Sequence, residues 1–286
     1  MFNKLQLYFR LTRMDKPIGW LLLLWPTLWG LWVAGSGEPS PRIVVTFVVG
    51  VILMRGAGCI VNDYLDKDLD RYVVRTRNRP LVTGEVSGLE AISLFVVFIV
   101  LAFGLVLTLN TFALILAVGG LGLTLTYPLF KRFTHFPQAY LGLVFSWGIP
   151  MAFAAQKNDV PGVVWALVLA NVFWTIAYDT MYAMVDRPDD QRAGIKSMAI
   201  WVGRYDLFFN IGCQAVALTV LALIGQVLNF SAWFYIGLLF AAATAIYQNR
   251  LCKNRDPRLC LRAFQNNAWF GTAIFFGIVM AYRFSG

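Results

Sequence analysis

The stretch IVVTFVVGVILMRGAGCIVNDYLDKDLD, residues 43–70, decides the fold. Its first nineteen residues, Ile43 to Val61, carry one charged side chain, Arg55, and the chain then turns abruptly acidic. A helix rises about 1.5 Å per residue, so ~20 apolar residues cross a hydrocarbon layer of ~30 Å. Blocks of the same kind recur on both sides of this one. The pattern predicts helices near 18–34, 43–63, 89–108, 111–129, 138–155, 162–186, 206–226, 230–248 and 265–282, with Gly, Pro and Asn punctuation between them. None has the long polar face that would cover a soluble core. Composition agrees: of 286 residues, 59% are hydrophobic and 14% charged, with a mean hydropathy of +0.65. Soluble domains carry roughly 25% charged residues. The expected fold is therefore all-α, a polytopic membrane protein of about nine transmembrane helices in a single domain spanning 1–286. The run Ile18 to Ala34 is read as the first retained helix rather than a signal peptide, because many similar runs follow it.

The basic residues orient the bundle. Of 24 lysines and arginines, twenty fall before the first helix or after the second, fourth, sixth and eighth. Arg42, Lys157 and Arg283 fall on the opposite side. By the positive-inside rule the N-terminus and the acidic stretch face the cytoplasm. Topology and anionic headgroups account for most of the net charge of +9, so no nucleic-acid partner is called for. The four cysteines, Cys59, Cys213, Cys252 and Cys260, show no C-x-x-C spacing and read as free thiols, two of them in a cytoplasmic loop.

Topology does not ask for the two acidic clusters. Asn62-Asp63-Tyr-Leu-Asp66-Lys-Asp68-Leu-Asp70 ends the second helix, and Tyr178-Asp179-Thr-Met-Tyr182-Ala-Met-Val-Asp186-Arg-Pro188-Asp189-Asp190 ends the sixth. In a continuous helix, Asp63, Asp66 and Asp70 share one face, and Asp179, Asp186 and Asp190 repeat that logic. Pro188 is expected to end or kink its helix and leave Asp190 on a loop. Like charges on one face repel, and ionisable groups at membrane depth are expensive, so both sets need a counter-charge. A hard divalent cation held by carboxylate oxygens supplies one, and Mg²⁺ commonly shares such sites with substrate phosphates. Arg71, Arg75, Arg77 and Arg79 follow the first cluster at once, and arginine forks suit phosphate oxygens. The chemistry is that of a diphosphate site whose lipid tail lies along the apolar helices. Arg55, seven residues before Asn62, shares its helix face two turns deeper and needs an acceptor: an anionic co-substrate or a motif aspartate.

These motifs, with Arg75-Thr-Arg-Asn-Arg79-Pro80, Asp15-Lys16-Pro17-Ile18-Gly19 and Gly194-Ile-Lys196-Ser197, resemble the UbiA superfamily of intramembrane prenyltransferases over nearly the whole chain. The flanks are most similar to the branch that acts on 4-hydroxybenzoate in ubiquinone synthesis. The resemblance implies nine helices around a central cavity open to membrane lipid. It implies Mg²⁺ on Asp63, Asp66 and Asp70 and on Asp179, Asp186 and Asp190. The diphosphate of a polyprenyl diphosphate would meet Arg75, Arg79, Lys131, Lys196 and, as a weaker match, Arg13, with Tyr127 nearby. Arg55 and Asn62 match positions beside the aromatic acid. The expected reaction joins the polyprenyl chain to the ring carbon next to the phenol, with Asp66, Asp70, Asp179, Asp186 and Asp190 as catalytic residues in a bacterial inner membrane. Asp179 or a phosphate oxygen would remove the ring proton, and His135 is expected to be solvated. Two other classes stay open on the residues alone. Asp66 and Asp186 are 120 residues apart, as are Asp70 and Asp190, which suits a transporter repeat, and Tyr178-Asp179 suits half of an aspartyl-protease dyad.

Overall fold

A computed structural model describes residues 3–284. The elements are α1 (Lys4–Leu11), α2 (Ile18–Ala34), α3 (Pro41–Leu65), α4 (Lys67–Asp70), α5 (Pro80–Thr83), α6 (Gly88–Val106), α7 (Thr111–Phe133), α8 (Pro137–Ser146), α9 (Gly148–Lys157), α10 (Gly162–Ala193), α11 (Met198–Val202), α12 (Asp206–Val227), α13 (Ala232–Cys252) and α14 (Pro257–Arg283). A 3-10 turn, Gly203–Tyr205, joins α11 to α12. No strand occurs among the described residues, and the fold is all-α. Among the described residues, six stretches are long and apolar enough to cross a membrane: α3, α6, α7, α8 with α9, α10, and α11 through α12. The protein is a multi-pass membrane protein. α2 is apolar but shorter, at 17 residues. α13 and α14 carry interhelical amides: Gln214 Nε2 donates to Gln248 Oε1 at 2.9 Å, and Gln248 Nε2 to Asn266 Oδ1 at 3.1 Å.

Local chemistry sets the helix ends. Ser87 and Glu90 form a reciprocal capping box at the start of α6. Asn110 accepts from the Ala113 amide to open α7, and Asp256 caps α14 ahead of Pro257. Gly194, at φ +69°, closes α10 in the left-handed region that glycine adopts freely.

Three expectations are corrected. The segment 138–155 is two helices, because Pro150 has no N–H to give the Ser146 carbonyl, so the ladder breaks around Trp147. Pro188 does not end the sixth helix. α10 runs through it to Ala193, where Gly194 closes the last turn, and Asp190 is therefore helical. Conversely, the helix through the first acidic cluster is interrupted: α3 stops at Leu65, Asp66 sits between helices at φ −96°, ψ 0°, and α4 restarts at Lys67.

Apolar burial gives no net drive between helices in lipid, so close packing must hold them. Trp29 of α2 stacks on Trp174 of α10 at 5.3 Å, and Trp174 stacks on Phe270 of α14 at 5.0 Å. Both indoles are satisfied: Trp29 Nε1 donates to the Gly271 carbonyl and Trp174 Nε1 to Asn267 Oδ1. Gly271 is needed there, since a Cβ would lie within 3 Å of both Trp25 and Trp174. This seam fixes α10, and with it the second acidic cluster, against α2. On the other side, α6 and α7 turn most of their side chains outward to lipid. A cavity of about 780 Å³ lies between them and the seam.

Candidate active site

The chain has brought the two acidic clusters together by pairing each with cations from the loops. Asp63, at the end of α3, is 1% exposed and accepts from Arg13 Nη2 at 2.8 and 2.9 Å. Arg79 Nη1 reaches Asp63 at 2.8 Å and Asp70 at 2.5 Å. Asp66 is fully buried and pairs with Lys131 from the end of α7. On α10, Asp186 accepts from Arg75 Nε at 2.9 and 3.0 Å and from Nη2 at 2.5 Å, a fork that also bonds Tyr182 and lies over its ring at 4.4 Å. Arg75 thus crosses from the segment after the first cluster to the second. A small cavity of about 160 Å³ sits at the crossing, lined by Asn62, Asp70, Arg75, Arg79, Tyr127, Lys131, Asp179, Asp186, Asp190 and Lys196.

Burial pushes the Asp66 and Asp70 carboxyls above the ordinary carboxylate range, and Lys131 and Arg79 respectively pull them back. An uncompensated buried charge costs several kcal/mol, on the order of 3–5 when one partner of a pair is removed. The basic residues therefore serve two purposes. They neutralise the carboxylates in this structure, and they are the groups that a diphosphate would recruit. A ligand that brought phosphate and metal together would let the cations turn to phosphate and the carboxylates to metal without exposing a bare charge.

The donors suit a hard cation. Among the described residues no three acidic, histidine or cysteine side chains already form a ligand cage. Yet the donor set is all carboxylate oxygen, and Asp66 Oδ1 is buried with no hydrogen-bond partner, with Arg132 Nη2 4.0 Å away. One or two carboxylates per ion, completed by phosphate oxygens, is the arrangement Mg²⁺ favours.

The remaining expected residues fall as follows. Asn62, Tyr127 and Asp179 line both cavities, at the point where the small one meets the large. Arg55 lines the large cavity with Asn62 and Asp179. Its Nε is buried without a hydrogen-bond partner, and its guanidinium carbon stands 5.7 Å from the Phe145 ring centre. Among the described residues no salt bridge or hydrogen bond joins it to a motif aspartate, though its charge acts on Asp179. Lys196 lies at the rim, where its Nζ donates to the Phe133 carbonyl at 3.2 Å rather than to a carboxylate. Arg13, at a left-handed backbone φ of +58°, gives its Nη2 to both oxygens of Asp63. His135 is half-buried rather than solvated. Cys252 and Cys260, expected in a loop, are buried where α13 and α14 meet it.

Sequence reasoning missed Tyr182 and Phe145. Tyr182 had a signal: it lies three residues after Asp179 and four before Asp186, hence on their helix face. Phe145 had none, because only the tertiary fold brings α8 beneath Arg55. The Tyr182 contact carries a prediction. Arg75→Lys keeps the charge but loses the fork and the stacking. Binding of inorganic diphosphate, measured by calorimetry, is expected to weaken about tenfold, ~1.4 kcal/mol, with thermal stability little changed.

The profile of the UbiA prenyltransferase family matches residues 23–278. The chain belongs to the UbiA prenyltransferase family. Among curated UbiA relatives, the 4-hydroxybenzoate octaprenyltransferase of Thiobacillus denitrificans is 53% identical over 280 residues, covering 98% of this chain and 96% of that protein. The enzyme of the same name from Coxiella burnetii is 52% identical over 276 residues, covering 96% of each. A solved apo UbiA homolog from Aeropyrum pernix superposes with a TM-score of 0.80 at 25% identity, covering 91% of this chain and 97% of its own. A UbiA homolog from Archaeoglobus fulgidus, solved with GPP and Mg²⁺, shares the fold at a TM-score of 0.71 and 20% identity, covering 96% and 99%. Membership in a prenyltransferase family overturns the transporter and protease readings.

Proposed function

We propose that this protein transfers a polyprenyl group from polyprenyl diphosphate to the ring carbon ortho to the hydroxyl of 4-hydroxybenzoate. The products are 3-polyprenyl-4-hydroxybenzoate and diphosphate, a step of ubiquinone synthesis. The observation that carries this reading is a pair of adjoining cavities with Asn62, Arg75, Arg79, Tyr127, Asp179 and Tyr182 in both walls: a small one between the acidic clusters and their cations, and a large, mostly apolar one that also holds Arg55, whose Nε has no hydrogen-bond partner. The name shared by relatives that match about half of its residues supports the same substrates.

Asp63, Asp66 and Asp70 on one side and Asp179, Asp186 and Asp190 on the other would hold Mg²⁺. When bound, Mg²⁺ supplies Lewis-acid stabilisation of charge on the departing diphosphate. The chain's own residues do the rest. Arg75, Arg79, Lys131 and Arg13 release their carboxylates and take up phosphate oxygens, stabilising the same charge in a site largely shut to water. The apolar walls of the large cavity hold the isoprenoid. Arg55 binds the carboxylate of the aromatic acid, Asn62 places the ring between Arg55 and the breaking C–O bond, and Tyr127, in the wall of both cavities, lies beside the diphosphate. The phenol directs the ortho carbon onto the allylic cation, and Asp179, facing both cavities, takes the ring proton. The acidic end of the bundle faces the cytoplasm of a bacterial inner membrane, in keeping with the basic loops.

The test is a turnover assay of purified protein in lipid nanodiscs with 4-hydroxybenzoate, octaprenyl diphosphate and Mg²⁺. The expected result is 3-octaprenyl-4-hydroxybenzoate, lost on chelation and restored by added Mg²⁺. Unchanged turnover in excess chelator would remove the metal from this account, and absence of product would remove the substrate assignment.

A further inference from the structure

The turn into α2, Asp15-Lys16-Pro17-Ile18-Gly19, stands out in the sequence but has no part in the mechanism above. Gly19 is buried in the first turn of α2. A Cβ built there would lie 2.8 Å from both Nε and Nη2 of Arg55 and 3.2 Å from Cζ. Nε and Nη2 thus stand closer to the Gly19 backbone than a Cβ allows, and because they end a flexible side chain, a methyl there displaces the guanidinium. Glycine in a helix costs about 1 kcal/mol relative to alanine, so intrinsic propensity would favour Ala at this position. The close approach of Arg55 explains the glycine.

Phe145 supplies a second wall, its ring centre 5.7 Å from the guanidinium carbon. Gly19, Arg55 and Phe145 all line the large cavity together with Asn62, Asp63 and Asp179. We infer that Gly19 is a positioning residue for the acceptor: by lacking a side chain it lets the Arg55 guanidinium lie against α2, and so sets where the carboxylate of a small aromatic acid is held. The inference rests on the reading that Arg55 binds that carboxylate. A methyl group at position 19 pushes the guanidinium off α2 and into the acceptor's space. Gly19 does not line the small cavity at the crossing of Arg75 and Asp186, so the donor's diphosphate is expected to bind as before.

The test is a double-mutant cycle on the full-length protein in nanodiscs, with Gly19→Ala, Arg55→Ala and the pair. KM is measured for both substrates, and equilibrium binding of 4-hydroxybenzoate is measured by calorimetry without donor. Gly19→Ala is expected to raise the acceptor's KM and Kd about tenfold while the donor's KM stays within about twofold. On the Arg55→Ala background, the same change is expected to add less than about twofold. A second arm compares Arg55→Lys with Gly19→Ala/Arg55→Lys, where the slimmer ammonium head leaves room for the methyl. The two are expected to bind 4-hydroxybenzoate equally and to melt together, which keeps the test open if Gly19→Ala alone fails to fold. Equal losses from Gly19→Ala in the presence and absence of Arg55, or a loss confined to the donor, would overturn the inference. Wild-type protein that does not bind 4-hydroxybenzoate overturns the function reading and this inference with it.

Discussion

Asp66→Asn and Asp186→Asn, made singly, are each expected to lower kcat about a thousandfold or more, while the protein still inserts in the membrane and purifies as a monodisperse species. A thousandfold is about 4 kcal/mol of transition-state stabilisation. The loss is large because each aspartate stands at a partner exchange. Asp66 is fully buried, neutralised by Lys131, and keeps one oxygen without a hydrogen bond. Asp186 holds Arg75, the residue that joins the two clusters. Asparagine preserves the shape of either side chain but carries no charge to hold a cation. It also leaves Lys131 or Arg75 with no anion until the diphosphate arrives. The donor is therefore expected to bind these variants nearly as well as wild type, with the defect in kcat at saturating Mg²⁺. Near-wild-type turnover by either purified variant would end the assignment of that aspartate to the metal.

The second large effect is expected at the opposite end of the substrate space. Arg55→Ala is expected to raise the KM for 4-hydroxybenzoate about a hundredfold, ~2.7 kcal/mol, with the KM for polyprenyl diphosphate within about twofold. The size follows from a charge-assisted hydrogen bond to a carboxylate in a place screened from water. Among the described residues the side chain forms no salt bridge and its Nε has no hydrogen-bond partner, although its charge also acts on Asp179 in the same cavity. Measured in steady state with each substrate varied in turn, a rise confined to the donor would move Arg55 to the diphosphate.

The fold was legible where it depended on local pattern. The apolar blocks mark the helices because a membrane demands length and hydrophobicity of each segment separately. The break at Trp147 was also written locally, in Pro150, but the apolar run around it conceals an interruption that costs little inside a bundle. Pro188 misled in the opposite direction, since the helix could continue to a glycine that closes it well. The acidic clusters gave the chemistry of the site because repelling carboxylates need counter-ions wherever they sit. Which counter-ions they take could not be read. Arg13 lies fifty residues from Asp63 and Arg75 lies 111 from Asp186, and only the packing of α2, α3 and α10 brings them together. Phe145 beneath Arg55 and Gly19 against it belong to the same class, as contacts between helices that leave no period or spacing in the chain.

The measurement that tests the central claim most directly is anomalous diffraction from crystals grown with Mn²⁺ in place of Mg²⁺ and a non-hydrolysable prenyl thiolodiphosphate. The account predicts metal peaks at both acidic clusters, bridged by one diphosphate, with Arg75 and Arg79 turned from carboxylate to phosphate. Metal at a single cluster, or a diphosphate bound away from the crossing of Arg75 and Asp186, would contradict it.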